Sequence, residues 1–301
     1  MNHLWTIFAL AAVSAMAATN GDTAAVSTVV PPSVSTAVLA KAVLPPNAPA
    51  APPANEMLPL TQELLKELAA LTNADQFVQA RDKGLAALEA AAADDPLRDA
   101  LEETLGRVTM DLIRTPRMMA EKDAYVVKSG DSVARIAAAH GTTVDLILES
   151  NLIARPNLIK AGDRLRVLKA PITLTVSKTR HDLVMKLDGR FCKRYRVGTG
   201  KFGRTPTGIF TISEKVKDPP WSRPDGKLVP FGEKENILGT RWLSLKAEPP
   251  TEEVGGYGIH GTWDEATLGK AESSGCVRLK NSDVEELFTI LPYGVRVVIE
   301  E

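Results

Sequence analysis

The sequence lacks several features that would mark a specialised class of protein. Its 301 residues include only two cysteines and four histidines, and aromatic residues make up 5% of the chain. The 36 lysines and arginines nearly balance the 37 aspartates and glutamates, which gives a formal net charge of -1. This balance excludes bulk-charge binding to nucleic acid or to an anionic membrane. A partner must therefore be recognised at local sites.

Long apolar runs are also missing, apart from one at the amino terminus. The run from Leu4 to Ala18 is shorter than the about 20 apolar residues that usually span a bilayer, and it contains the small-x-small pattern Ala15-Met16-Ala17. We interpret residues 1–17 as a signal peptide, which predicts export to the periplasm or cell envelope. No lysine or arginine precedes the run, so an uncleaved anchor is the alternative, and membrane association is expected only in that case.

The remaining chain is long enough for about two domains with a sizeable core, since 44% of all residues are apolar. Residues 18–56 consist mainly of Ala, Val, Pro, Thr and Ser, a composition that predicts an extended linker. Residues 57–120 carry apolar residues at helical spacing and predict a small bundle of three helices. The bundle would serve as a spacer or bind a partner. Its third helix is predicted to begin at Asp95-Pro96.

Residues 124–169 have the pattern strand, helix, helix, strand. Asp131 is predicted to cap the first helix, and Thr142 and Asp145 to form a capping box for the second. Because it contains GDSVARIA and ends in IKAGDRLRV, the segment resembles a LysM domain. This resemblance implies binding to the glycan strands of peptidoglycan, which contain N-acetylglucosamine. A folded spacer without a ligand is the alternative.

Residues 172–301 have the pattern of short strands. Two of the strands flank Asp188-Gly189, a dipeptide typical of a two-residue β-hairpin loop. We predict a mostly β catalytic domain, as a sandwich or barrel, preceded by the helical region and the LysM module. The long loop at residues 215–236 is predicted to cover a substrate.

The two cysteines have different surroundings. In an oxidising compartment, a disulfide between Cys192 and Cys276 is one interpretation. However, Cys276 follows the small residues Ser273, Ser274 and Gly275, whose N–H groups could form a nest for an oxyanion. This turn favours a reactive thiolate, although a buried cysteine after a tight turn has the same pattern.

His260 is the histidine best suited to act as a base for Cys276. It lies between glycines in the sequence GIHG, where the backbone can approach a reacting group closely. From the residues alone, a purely structural role is equally consistent with this position.

Together, these two segments resemble the signature of the YkuD-like L,D-transpeptidase catalytic domain. The signature is a His-Gly pair, here His260-Gly261, followed after a spacer by SSGCVR, which ends at Arg278. The motifs TPTGIF and LGTRW extend the resemblance over about residues 172–300. Many members have a second histidine where this chain has Ser274, so the resemblance does not carry over the secondary role of that histidine in substrate positioning.

The resemblance implies an acyl transfer that needs no cofactor or metal ion. Cys276 would attack the carbonyl of the third residue in a stem tetrapeptide, usually meso-diaminopimelate in this family, and the terminal D-Ala would leave. His260 would pair with the thiolate and then protonate the leaving amine, oriented by the Gly261 carbonyl. An amine from a second stem would then release the cross-link.

Other residues of the signature have implied supporting roles. The N–H groups of Gly275 and Cys276 would stabilise the oxyanion, within the turn that Ser273 and Ser274 begin. Arg278 would contact a carboxylate, either on the substrate or within the protein.

Two further functions remain open from the sequence. An L,D-carboxypeptidase on the same scaffold would use water in place of the acceptor amine. A structural protein would bind glycan through the LysM module and carry an inert β domain.

Overall fold

The structure, a computed structural model, describes residues 54–92 and 98–301. The predicted signal peptide, most of the predicted linker and the helix start at Asp95-Pro96 lie outside these residues. The helices are α1 (Ala54–Asn73), α2 (Phe77–Ala90), α3 (Arg98–Arg114), α4 (Val133–His140), α5 (Val144–Ser150) and α6 (Asn281–Ile290). No helix within the described ranges combines the length and apolar character needed to cross a membrane.

Fourteen strands accompany the helices in the described residues. They are β1 (Lys122–Val126), β2 (Arg164–Leu168), β3 (Ile172–Ser177), β4 (Asp182–Leu187), β5 (Arg190–Arg196), β6 (Thr199–Gly200), β7 (Gly208–Lys217), β8 (Trp221–Ser222), β9 (Leu228–Val229), β10 (Arg241–Ala247), β11 (Gly258–Thr262), β12 (Ala271–Ser273), β13 (Val277–Lys280) and β14 (Arg296–Glu300).

The predicted helical region is present as α1, α2 and α3. Leucines at helical spacing on α3, among them Leu101, Leu105 and Leu112, are buried. They belong to one hydrophobic cluster that also contains Leu183 and Cys192 from the sheet. α3 packs directly on β5, so these helices share a core with the sheet.

The LysM segment has the predicted order of elements, with β1 and β2 paired antiparallel. Its helix caps lie one residue later than predicted. Ser132 accepts a hydrogen bond from Arg135 N, and Thr143 accepts one from Leu146 N. Asp131 instead accepts the Tyr125 hydroxyl and the Lys128 N–H, each at 2.8 Å.

The catalytic region is mostly β, as predicted. Eight strands form one sheet in the order β13-β11-β10-β7-β14-β3-β4-β5. A bridge between Gly198 and Arg278 joins the chain after β5 to β13, so the sheet closes into a near-barrel. The hairpin between β4 and β5 turns at Asp188 and Gly189, whose φ angles of 49° and 75° fit the predicted loop. α6 packs on β10 and β11.

Candidate active site

The structure brings His260 and Cys276 together on neighbouring strands. His260 lies on β11, and Cys276 lies directly before β13, which runs parallel to β11 with His260 opposite Arg278. Continuing this register places Cys276 opposite Gly258. Because side chains two positions apart leave a strand on the same face, the Cys276 and His260 side chains point to the same side. Both line one cavity of about 600 Å³.

The long loop after β7 forms part of the cavity wall, through Pro219, Pro220 and Trp221. Its closing residue is Asn236, which is 1% exposed. The Asn236 amide donates to the carbonyls of Pro219 at 2.9 Å and Val229 at 3.2 Å. This one side chain therefore ties both ends of the loop together, and the role of the loop in covering a substrate stays a prediction.

His260 is buried and fixed from two directions. Its Nδ1 lies 2.6 Å from the Gly261 carbonyl, which can only accept a hydrogen bond, so Nδ1 carries a proton. The Trp242 ring stacks on the imidazole, with centroids 5.6 Å apart. Nε2 of the neutral ring is then the atom that can accept a proton.

Burial determines the charge of this imidazole. It lowers the pKa of His260 to about 4, and the Arg278 charge acts in the same direction, while the Gly261 and Leu238 backbone groups act against it. His260 is therefore neutral at neutral pH, as a general base must be before it takes a proton.

Cys276 also favours its neutral form. Burial raises the pKa of its thiol, against the opposing effects of the Gly258 N–H and the Arg278 charge. The thiol points to the Gly256 carbonyl, with Sγ and the oxygen 3.7 Å apart. Each group taken by itself thus favours its neutral form, whereas the resemblance implies an ion pair. The physical reason is that both groups lie in a weakly solvated cavity.

The turn before Cys276 is held by hydroxyl groups. Ser273 Oγ accepts the Gly275 N–H at 3.0 Å and donates to the Cys276 carbonyl at 2.7 Å. Thr205 Oγ1 donates to the Gly275 carbonyl at 2.8 Å. The Gly275 N–H is therefore engaged within the turn, and its role as an oxyanion donor stays a prediction. The Cys276 N–H remains a predicted donor, and Ser274 is exposed on the cavity wall.

Arg278 lies on the cavity wall, and within the described residues it takes part in no salt bridge. Its Nε is buried without a hydrogen-bond partner. Among the described residues Arg278 therefore forms no internal salt bridge, and its contact to a substrate carboxylate stays a prediction.

Both cysteines are free, so the disulfide interpretation is wrong. Cys192 is fully buried in the core, and burial raises the pKa of its thiol to about 12. A thiol in this environment is inert at neutral pH. Cys276 is thus the reactive candidate.

Comparison with known proteins agrees with the geometry. Residues 171–299 match the profile of the YkuD family, the L,D-transpeptidase catalytic domain, and residues 125–168 match that of the LysM domain. The chain is 35% identical over 182 residues to the putative L,D-transpeptidase YkuD of Bacillus subtilis (strain 168). This match covers 58% of this chain and 97% of that protein. This chain belongs to the YkuD family of L,D-transpeptidases.

Further relatives and a solved structure match parts of this L,D-transpeptidase. The putative L,D-transpeptidase YqjB of the same organism is 36% identical over 127 residues, which is 42% of this chain and 69% of the relative. A solved L,D-transpeptidase structure from Mycobacterium smegmatis aligns with a TM-score of 0.37 and 19% identity, over 46% of this chain and 64% of that one.

Three residues of the L,D-transpeptidase site escaped prediction as functional residues. Thr205 and Trp242 lie inside the motifs TPTGIF and LGTRW, which marked the family but gave no individual roles. Asn281 follows β13 and contacts backbone beside His260. Its only sequence signal is its position three residues after Arg278.

Proposed function

We propose that this chain is a peptidoglycan L,D-transpeptidase in which Cys276 is the nucleophile and His260 the base. One observation supports this assignment most directly. The two side chains line the same cavity, one on β11 and one directly before the parallel strand β13, and the Gly261 carbonyl accepts the His260 Nδ1–H, which leaves Nε2 as the proton acceptor of the neutral ring. The LysM domain adds a peptidoglycan-binding module to the same chain.

The first half reaction forms a thioester. As Cys276 Sγ attacks the carbonyl carbon of the third residue in a donor tetrapeptide, Nε2 of His260 takes the thiol proton. The new C–S bond gives a tetrahedral intermediate, whose oxyanion the Cys276 N–H stabilises. The C–N bond to the terminal D-Ala then breaks, and His260 gives its proton to the leaving amine.

The second half reaction regenerates the thiol. An amine of a second stem attacks the thioester carbonyl, and His260 accepts the proton that the amine loses. The C–S bond breaks, and the proton returns from His260 to Cys276. The product is a peptide bond between two stems. His260 begins and ends the cycle neutral, in keeping with its lowered pKa.

Arg278 gives the site a preference for an anionic donor. Its guanidinium lies on the same cavity wall as Cys276 and can hold a stem carboxylate in bidentate fashion. A stem with meso-diaminopimelate at its third position carries such a carboxylate. Export to the cell envelope, through the predicted signal peptide at residues 1–17, would bring the enzyme to this substrate.

The products made from purified sacculi that contain tetrapeptide stems test this function. Mass analysis of the muropeptides should show cross-linked dimers between third residues. Cys276→Ala should abolish these dimers, while the matched variant Cys192→Ala should retain them, since Cys192 lies in the core.

Other products, or unchanged sacculi, would indicate a different function or a different nucleophile. Accumulation of trimmed tripeptides without dimers would show an L,D-carboxypeptidase instead. Unchanged sacculi with the wild-type protein would favour a structural glycan-binding protein, and dimers formed by Cys276→Ala would contradict the proposed nucleophile.

A further inference from the structure

Asn281 connects the ends of three strands beside the base. It is the first residue of α6 and follows β13 directly. Its Oδ1 accepts the Thr240 N–H at 3.1 Å, just before β10. Its Nδ2 donates to the Thr262 carbonyl at 3.0 Å, at the end of β11. One carboxamide thus joins β10, β11 and β13 at the end of the sheet that carries His260.

Two glycines leave the space that this carboxamide occupies. A Cβ atom at Gly261 or at Gly239 would overlap Asn281 Oδ1. Gly239 also has a φ of 64°, which disfavours any residue with a side chain. The backbone on both sides of Asn281 is therefore shaped to admit its side chain, beyond what an ordinary helix start requires.

The segments that Asn281 holds are those that surround the imidazole. Gly261, whose carbonyl accepts the His260 Nδ1–H, precedes Thr262. Leu238, whose backbone also faces the ring, lies two residues before Thr240. Asn281 makes no described contact with the cavity lining, so its effect on chemistry must pass through these backbone groups.

We infer that Asn281 is a positioning residue, whose carboxamide fixes the Gly261 and Leu238 backbone groups that orient the His260 imidazole toward Cys276. This inference rests on the proposed role of His260 as the base. Removal of the carboxamide should allow the two segments to separate, the ring to tilt and water to reach it.

The test compares Asn281→Ala with Asn151→Ala in the full chain. Asn151 makes a similar set of bonds within the LysM module, from Nδ2 to the Ile147 and Arg166 carbonyls at 2.8 and 2.9 Å, and lies outside the cavity lining. It therefore controls for general loss of stability. Asn281→Ser serves as a second variant if Asn281→Ala does not fold, because a serine is too short to reach both Thr240 and Thr262.

Two quantities are measured for each folded variant. The first is the acylation of Cys276 by a carbapenem, followed by mass as a function of pH. The second is the titration of the His260 ring by NMR, with its signal identified by its loss in His260→Ala. For Asn281→Ala we expect a rate lower by on the order of 10- to 100-fold. The titration midpoint should move up from about 4 toward the ordinary value of 6.5, because water that reaches the ring relieves burial, the largest cause of the lowered pKa. With a tetrapeptide donor, kcat should fall more than KM changes.

A folded Asn281 variant that matches Asn151→Ala in both rate and midpoint would overturn the inference. Failure of the proposed function has a different result. The wild type and Asn151→Ala would then show no acylation of Cys276, while the His260 titration would still report whether Asn281 fixes the ring.

Discussion

Cys276 and His260 both favour their neutral forms, and this determines how the reaction should depend on pH. Burial lowers the pKa of His260 to about 4 and raises the pKa of Cys276. The reactive state requires a neutral imidazole, so acidification through about 4 removes the base. Alkaline conditions leave the base intact. A thiolate-imidazolium ion pair would behave differently. A rise in pH would deprotonate the imidazolium and so remove the acid that protonates the leaving group.

We therefore expect the rate of Cys276 acylation by a carbapenem to be level across neutral pH and to fall only toward the acid side. In His260→Ala the thiol lacks its base, so its reaction should recover only as the pH exceeds the free thiol pKa of about 8.5. The acylation rates of the wild type and of His260→Ala are both measured from the intact mass as a function of time at each pH. A wild-type rate that falls as the pH rises above neutrality would contradict the neutral pair.

The sequence predicted the identity of these residues but not their charge states. Four histidines and two cysteines left few candidates, and the motif around Cys276 distinguished them. A pKa depends on burial and on neighbours from other strands, such as Arg278 opposite His260. Those neighbours are distant from His260 in the chain, so the sequence pattern alone could not predict the charge state of either group.

At the scale of elements, β11 must approach Trp242 on β10 closely. A Cβ atom at Gly258 would lie 2.6 Å from Trp242 Cζ2, closer than two carbon atoms can pack. Trp242 covers one face of His260, so a displaced indole would also release the imidazole. Gly258 therefore allows Trp242 to pack on His260, and this contact, rather than a bend in the chain, requires a glycine.

Gly258→Ala should lower both the stability and the acylation rate. Overpacking of this kind costs about 1–3 kcal/mol. Gly255→Ala is the matched control, because a Cβ atom there has no heavy atom within 4 Å. Thermal unfolding and carbapenem acylation measure the two effects. Equal behaviour of the two variants would show that the Trp242 contact does not hold the base.

The type and order of most elements were predictable, whereas their ends were not. The spacing in residues 124–169 gave the order strand, helix, helix, strand. Its predicted caps were one residue too early, because Asp131 and Ser132, like Thr142 and Thr143, are adjacent residues that can each cap a helix. Ser132 and Thr143 have the extended backbone of an N-cap, and this depends on how the preceding chain enters the helix.

Across the whole molecule, the LysM module packs directly against the other elements. Arg114 on α3 contacts Glu149 on α5 at 2.8 Å and Glu286 on α6 at 3.1 Å. Leu146 on α5 belongs to the large hydrophobic cluster of the sheet and helices, while Ile147 belongs to the small cluster of the LysM module. The sequence pattern could not show that Leu146 faces a second core, since that core is built from distant residues.

We expect Leu146→Ala to destabilise the catalytic domain, although the substitution lies in the LysM module. Loss of a buried leucine costs about 2–5 kcal/mol. Apart from Trp5, the tryptophans lie at positions 221, 242 and 263, so their fluorescence during chemical denaturation reports on the sheet region. The midpoint should shift to lower denaturant. An unchanged midpoint would show that the module unfolds independently of the sheet.

The proposed thioester on Cys276 is tested most directly by trapping it. The enzyme is incubated with a tetrapeptide donor in the absence of an acceptor amine, quenched in acid and analysed by intact mass and peptide mapping. We expect a mass increase equal to the donor acyl group without its terminal D-Ala, located on the peptide that contains Cys276. It should persist in Cys192→Ala and be absent from Cys276→Ala. An adduct on another residue, or one that survives in Cys276→Ala, would contradict the assignment of Cys276 as the nucleophile.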